Sequence, residues 1–348
     1  MPTAETPFRE SSEPTPRGRD EMGLLERKIS ELELRIEGTA LERLVEQLHR
    51  ELRARGLSFM PRCYLSDEWG CPDGVPVIGI PFYLAHPKLA RIEEEEAGDI
   101  EGDQQIMMYL RHEAGHAYNY AYQLYETEEW HVTFGPYTRP YVDDYKPAPF
   151  SKKFVRHIPG WYAQKHPDED FAETFAVWLT PDINWEQAYK GWPALQKLQY
   201  VDKVMRALPA EAPNPGPARA TDDMLPVEKM DYTVREHYAR QGKADVAAEL
   251  GMLLDGDLRD LFGAPGAEGE PAGRFIVQRR RDLVRDVAYW TGERPPVIGA
   301  LVDHLAERAT KMELTVPRGR ESVLHVRFSI MLTTLVVNHL YRDRFVDL

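Results

Sequence analysis

Two histidines and a glutamate close together give the first indication of chemistry in this chain. Residues 111–116 read RHEAGH, an H-E-x-x-H pattern with His112 and His116 four residues apart. Residues four apart lie on the same face of a helix, with about 5 to 6 Å between their Cβ atoms. Both imidazoles can therefore bind one tetrahedral zinc ion. Glu113 then lies beside the open coordination position and can accept a proton from water. The pattern also arises by chance, so a site needs a third ligand.

The third ligand is sought in the acidic segment HPDEDFAETFA at residues 166–176. Glu169 and Glu173 share a helix face by their spacing of four. One carboxylate can bind zinc while the other holds the second ring nitrogen of a ligand histidine. Asp168 and Asp170 are alternative third ligands. A different interpretation is that these are solvent-exposed acids at a helix start, where the helix dipole favours them.

The two segments together resemble the gluzincin metallopeptidases. HEAGH followed by EDFAETFA is most similar to a bacterial family of zinc-binding metallopeptidases, and more distantly resembles the lethal-factor-type toxin proteases. The resemblance implies that Glu169 is the third zinc ligand and that Glu173 supports the site. It also implies a carbonyl-polarising tyrosine seven residues before the ligand, the position of Tyr162. His166 and His157 are alternatives for that role.

The chain departs from the patterns of two related metallopeptidase classes at single positions. Thermolysin-like gluzincins have aspartate four residues after the ligand, where this chain has Glu173. Metzincins need glycine at 119 and histidine at 122, but the chain has Asn119 and Tyr122, which excludes that class. We therefore expect a peptidase with one Zn²⁺ per chain. Glu113 is expected to act as general base, without a covalent intermediate.

The predicted elements bring these residues together. A long helix over residues 104–125 carries the H-E-x-x-H pattern, and a helix from His166-Pro167 to about Leu179 carries the acids, with proline in its first turn. Residues 58–65 and 77–84 read as strands of a small sheet. The Pro- and Tyr-rich segment 130–161 is predicted to be an irregular wall or lid over the site.

The predicted fold class is α+β, a zincin-like catalytic core with a small sheet and active-site helices, joined to an α-helical C-terminal domain. The predicted divisions are a disordered tail at 1–20, N-terminal helices at 21–56, the catalytic domain at 57–208, a proline-rich linker at 209–226 and the C-terminal helices at 227–348.

The charge, the apolar segments and the cysteine count of the chain exclude several classes of partner. The net charge is −14 with a pI of about 5.3, which argues against nucleic acid binding. The apolar run at 328–337 is shorter than the roughly 20 residues of a membrane span, and no signal peptide is readable, so we expect a cytoplasmic protein without a membrane partner. Cys63 and Cys71 are too few for a disulfide framework or a four-cysteine zinc site.

The predicted partner is a peptide or protein substrate. Two other readings of the sequence stay open: a zinc hydrolase of a small amide or ester, and a non-catalytic helical interaction protein with a vestigial metal site. Metal stoichiometry separates the last reading from the others. The sequence leaves the substrate, the cleavage specificity and the oligomeric state open.

Overall fold

A computed structural model gives the fold and describes residues 23–97, 100–142, 145–209, 225–240, 246–265, 268–342 and 344–346. The predicted tail at 1–20 lies outside these described residues, as does most of the predicted linker at 209–226. Helices predominate in the described part and two small sheets accompany them. The architecture is therefore mixed and helix-dominated, compatible with the α+β class.

The elements are numbered in chain order. The α-helices are α1 (Ala40–Ala54), α2 (Pro87–Ala97), α3 (Asp103–Ala121), α4 (Glu128–Phe134), α5 (Pro167–Leu179), α6 (Trp185–Ala188), α7 (Ala194–Ala207), α8 (Val234–Arg240), α9 (Val246–Leu250), α10 (Asp255–Leu261), α11 (Ala272–Gln278), α12 (Arg280–Thr291), α13 (Pro295–Lys311) and α14 (Glu321–Arg342). The strands are β1 (Arg62–Ser66), β2 (Val77–Pro81), β3 (Gly269–Pro271) and β4 (Thr315–Pro317).

Helices α3 and α5 pack against each other inside the first of two hydrophobic cores. Gly115 lies at their crossing, where an added Cβ would be 2.7 Å from the Cα of Ala172. Any side chain at this position would force the two backbones apart, because a contact that short is sterically forbidden. The glycine of HEAGH therefore lets the histidine helix and the acidic helix approach closely.

The small sheet lies beside α3. Strands β1 and β2 pair in parallel, and β2 contacts the helix. Ile78 and Ile80 of β2 are fully buried in the first core, as expected of β-branched residues in a covered strand. On its other edge β2 forms an antiparallel bridge between Gly79 and Gly70. The predicted strands at 58–65 and 77–84 are thus present but shorter.

The second core is formed by residues from α9 onward, with α13 packed against α11 and α12. Strands β3 and β4 form a short antiparallel ladder in this part, pairing Glu270 with Val316. The C-terminal part that was predicted to be α-helical thus also contains this short ladder. Glycine and proline at the ends of such short strands read as loops in the sequence.

Of the helices predicted within residues 21–56, the first, expected over residues 22–36, is interrupted: residues 23–25 are helical, but the helix does not continue beyond them. Ile29 and Ser30 donate their N–H groups to the backbone carbonyls of Tyr232 and Met230, at 3.0 and 3.1 Å. Glu33 has a φ of 51°, which ends any helix there. The same contacts attach residues 227–234 to the first core, although the domain boundary was predicted at 227. The division into domains itself stays a prediction.

Helix α14 has a mean hydropathy of 1.4 in its most apolar window and, by length and composition, could cross a membrane. It is the single such helix among the described residues, and 28% of that window is buried. One face packs Phe328 and Leu332 into the second core, while Val326 and Ile330 are 56% and 61% exposed. Core helices pass the same test, so this helix is weak evidence for a membrane span.

Candidate metal centre

Three buried side chains converge in the first core, His112 and His116 from α3 and Glu169 from α5. One potential ligand atom of each lies within 4.8 Å of the other two. The Nε2 atoms of the histidines are 3.1 Å apart, and Oε2 of Glu169 lies 3.0 Å from that of His112 and 3.2 Å from that of His116. These residues form a group that could hold a metal ion.

The group fits a tetrahedral metal ion in chemistry and in spacing. Two imidazoles and a carboxylate supply three ligands and leave a fourth position open. Ligand atoms about 2.0 to 2.1 Å from a tetrahedral ion are separated from one another by about 3.3 Å. The observed separations of 3.0, 3.1 and 3.2 Å are close to that value, so the donors need to move little.

Local sequence explains why α3 presents both histidines together. Gly102 precedes the helix, and the side chain of Gln105 accepts a hydrogen bond from its N–H at 3.0 Å, which satisfies a backbone donor at the helix start. The helix then runs unbroken for 19 residues. Positions 112 and 116 therefore share one face, with ring centroids 4.8 Å apart.

Helix α5 begins at an equally local signal. His166 caps it, because its Nδ1 accepts the N–H of Asp168 at 3.2 Å, and Pro167 occupies the first turn. Three acidic residues follow near the positive end of the helix dipole. The spacing of four directs Glu169 and Glu173 toward α3, so they are buried at the site and not solvent-exposed.

Each histidine is also held by a carboxylate at its other ring nitrogen. Oε1 of Glu173 lies 2.9 Å from Nδ1 of His112, and Oδ2 of Asp168 lies 3.0 Å from Nδ1 of His116. A carboxylate at Nδ1 keeps the proton there and fixes the ring, which leaves Nε2 as the ligand atom. The contact of Glu173 is the one predicted for it.

Asp168 contacts His116 and is not itself one of the three converging residues. It also accepts hydrogen bonds from the Tyr120 hydroxyl at 2.6 Å and the Asn119 amide at 2.7 Å. Burial would raise the pKa of Asp168, but the neighbouring His116 and Tyr120 outweigh burial and lower it. The sequence analysis did not predict this network. The signal that could have indicated it is the polar residue Asn119, three residues after HEAGH.

Glu113 follows His112 directly on α3 and is only 6% exposed. Burial raises the pKa of its carboxyl, and the carboxylates of Glu169 and Asp168 add to the effect, while His112 and His116 oppose it. A buried carboxylate with a raised pKa is a stronger proton acceptor than one in water, which is what a general base requires.

Two tyrosine hydroxyls contact Oε1 of Glu169, the carboxylate oxygen that does not face the two histidines. Tyr141 donates to Oε1 at 2.5 Å and Tyr162 donates to the same atom at 3.4 Å, with 3.5 Å between the hydroxyls. The ammonium of Lys165 lies 4.4 Å and 5.5 Å from the centroids of the two rings. Tyr162 was predicted at the site. Tyr141 was not, although it belongs to the segment 130–161 predicted as a wall.

His166 does not suit the carbonyl-polarising role that the sequence offered as an alternative. Its Nδ1 accepts the N–H of Asp168, so the proton resides on Nε2, which donates to the carbonyl of Arg139 at 2.8 Å. Both ring nitrogens are therefore occupied by the backbone. The structure places His166 as the cap of α5.

His157 and Asp170 also have other partners. Nε2 of His157 lies 2.9 Å from the carbonyl of Met108, and burial lowers the pKa of its imidazole. Asp170 forms a 2.5 Å ion pair with Lys197 and is not among the converging ligand atoms. Neither residue is positioned as the sequence alternatives required.

Removing either supporting carboxylate is expected to weaken metal binding without abolishing it. Asp168→Asn and Glu173→Gln keep the side-chain shape but remove the charge that fixes a ligand imidazole. Each should lower metal affinity by about 10- to 100-fold. A competition titration with a chromophoric chelator measures this, with the exposed Glu94→Gln on α2 as control. Unchanged affinity in both variants would contradict the arrangement.

Metal binding is expected to compete with protons at neutral pH. Burial lowers the pKa of both histidines, but their carboxylate partners outweigh burial, raising the pKa of His112 to about 9 and that of His116 well above its usual value. A metal must displace these protons. Apparent affinity should therefore rise with pH across the neutral range, by about tenfold per pH unit for each displaced proton. Chelator competition at several pH values checks this, and a flat profile would contradict it.

Comparisons with protein-family models, with curated proteins and with solved structures find no match for this chain. The resemblance to gluzincins therefore stays a prediction that rests on the residues of the two segments.

Proposed function

We propose that this chain is a zinc-dependent metallopeptidase that hydrolyses peptide bonds with a zinc-activated water and Glu113 as general base. The observation that carries the proposal is the buried group His112, His116 and Glu169, with Glu113 on the same helix as the two histidines. Three ligands with an open fourth position are the arrangement of catalytic zinc sites, whereas structural sites are closed by four protein ligands.

Zinc is proposed because of the ligand set. Two imidazoles with one carboxylate suit zinc, whereas magnesium and calcium prefer oxygen ligands throughout. When bound, zinc supplies an acidified water and polarises the substrate carbonyl. The supporting contacts of Glu173 and Asp168 agree with this choice, since ligand histidines of metal sites are commonly held in this way.

A zincin-like core is the fold that goes with this proposal. Helix α3 carries the histidines and the base, α5 carries the third ligand, and the parallel pair of β1 and β2 lies against α3. The close crossing at Gly115 holds the two helices at the separation that the site requires.

In the proposed reaction, Glu113 accepts a proton from the attacking water and passes it to the leaving amine. Its raised pKa supports the first half of this transfer, because a more basic carboxylate accepts the proton of the water more readily. The site is buried, which strengthens these electrostatic interactions. No side chain forms a covalent bond to the substrate in this mechanism.

Tyr162 is proposed to stabilise the negative charge that develops on the carbonyl oxygen. Its hydroxyl reaches Glu169 only at 3.4 Å, so a small rotation can redirect it to a substrate, whereas Tyr141 is held at 2.5 Å. Burial raises the pKa of both hydroxyls, so both remain protonated donors. Tyr141 is therefore assigned to orienting Glu169 and to forming one wall of the site.

Phenylalanine at position 162 is expected to lower turnover on peptides by about a hundredfold or more, because one oxyanion donor is lost. Zinc content should stay unchanged. Tyr141→Phe should have a smaller effect, and Tyr122→Phe, at the residue that follows α3, should have none. Steady-state kinetics with metal analysis of each variant measures this. Full activity of Tyr162→Phe would remove the residue from the mechanism.

The substrate class is tested with a peptide library. We expect the purified chain to cleave internal peptide bonds, detected by mass spectrometry, with activity lost on chelation and restored by zinc. A panel of small amides and esters is the matched comparison. Hydrolysis of the panel without any cleaved peptide would favour the small-substrate reading. A chain that binds zinc but hydrolyses neither would favour the non-catalytic one.

A further inference from the structure

A pocket lies between the loop that leads into Tyr162 and the end of α12. It is lined by residues 156–161 and by Tyr289. The loop packs tightly on the C-terminal part at its other side, where an added Cβ at Gly160 would lie 3.1 Å from the Cα of Gly292. The pocket is thus formed jointly by both cores of the chain.

Arg156 contributes a positive charge to this pocket, and no acid in the described part of the chain pairs with it. Among the described residues it makes no ion pair, and its Nε has no hydrogen-bond partner although that atom is buried. The chain has 57 acidic and 43 basic residues, so acids are not scarce. A buried guanidinium nitrogen without a partner is costly unless something else satisfies it.

Aromatic rings hold the guanidinium in place. Its central carbon lies 4.3 Å from the centroid of Trp161, 5.3 Å from that of Trp192 and 5.8 Å from that of Phe150. Stacking of this kind orients the planar group but leaves its N–H donors free. The side chain is therefore pre-organised to receive a planar anion edge-on.

A second unpartnered donor lines the same pocket. Trp161 is 7% exposed, and its indole Nε1 also has no hydrogen-bond partner among the described residues. Trp161 has a φ of 60°, in the left-handed region, so its ring is held there at some conformational cost. Two buried donors without partners in one pocket indicate a missing acceptor.

We infer that this pocket binds a small organic carboxylate, with the carboxylate on Arg156 and an apolar or aromatic body between Trp161, Pro159 and Tyr289. A monoanion is favoured because the pocket offers one cation and mainly apolar walls. The site does not rest on the proposed peptidase activity. It adjoins the metal centre through the loop, because the N–H groups of His157 and Ile158 donate to Glu173 at 3.0 to 3.2 Å.

The test uses benzoate as the probe and benzamide as its neutral match, with the full-length chain and calorimetric titration. We expect benzoate to bind with a dissociation constant of about 0.1 to 1 mM, and benzamide at least about tenfold more weakly. Equal binding of benzoate and benzamide would overturn the inference. So would the absence of benzoate binding at 10 mM, a concentration about ten times the largest dissociation constant expected.

Substitutions test whether benzoate binds in the pocket at Arg156. Arg156→Met keeps the stacked volume and should weaken benzoate binding by at least about tenfold, while Arg62→Met, which removes an exposed charge on β1, should leave it unchanged. Benzoate bound to the metal would survive Arg156→Met, so retained binding in that variant would overturn the proposal. If Arg156→Met fails to fold, Tyr289→Ala, at a side chain 43% exposed, should weaken benzoate binding severalfold, and unchanged binding would overturn the proposal.

Discussion

Replacing Glu113 with glutamine is expected to lower turnover by about 100- to 10,000-fold while zinc stays bound. The amide keeps the shape of the side chain but cannot accept a proton from water. Glu113 is not among the converging ligand atoms, so the metal keeps all three of its protein ligands. Turnover of a cleaved peptide and zinc content, measured on one preparation, report the two effects separately.

The control for this variant is Glu94→Gln on α2, which makes the same chemical change at an exposed position. It should match the unmodified chain in both turnover and zinc content. Near-normal hydrolysis by Glu113→Gln would remove the general-base role. Loss of zinc from Glu113→Gln would instead mean that Glu113 takes part in holding the metal.

Replacing His116 with alanine is expected to remove the metal and, with it, all zinc-dependent hydrolysis. The variant loses one of three ligands and leaves Asp168 buried without the imidazole that it holds. Loss of a ligand should reduce affinity by more than the roughly 100-fold seen when a supporting residue is removed. Metal analysis after dialysis measures the outcome. Thermal unfolding checks that the chain still folds, because the buried carboxylate of Asp168 loses its imidazole partner.

His325→Ala is the matched control, since it removes a half-buried imidazole from α14, far along the chain from the site, and should leave zinc content unchanged. One equivalent of zinc retained by His116→Ala after dialysis would show that the ligand assignment is wrong. A variant that unfolds can be replaced by His116→Gln, which keeps more of the side-chain volume and should also lose the metal.

The sequence was most informative where the determining interactions are local. The spacing of His112 and His116, the proline start of α5 and the spacing of Glu169 and Glu173 are all set within one or two helical turns. For that reason the two helices and the converging group could be predicted. The glycine of HEAGH was also visible, but its role at the crossing with Ala172 needs the packed structure.

Interactions between distant segments could not be predicted. Asp168 was considered only as an alternative ligand, because nothing local indicates that Nδ1 of His116 and the hydroxyl of Tyr120 meet it. The helix predicted over residues 22–36 is interrupted for a similar reason, since the backbone there pairs with Tyr232, about two hundred residues away. Tyr141 reaches Glu169 only because the irregular segment folds back over α5.

The metal content of the purified chain tests the central claim most directly. After exhaustive dialysis at pH 8, elemental analysis by mass spectrometry should find one zinc per chain. Chelation at low pH should remove the zinc, and added zinc at pH 8 should restore it, because the ligand histidines must lose their protons to bind. A chain that retains no zinc, and takes up none when zinc is supplied, would contradict the account.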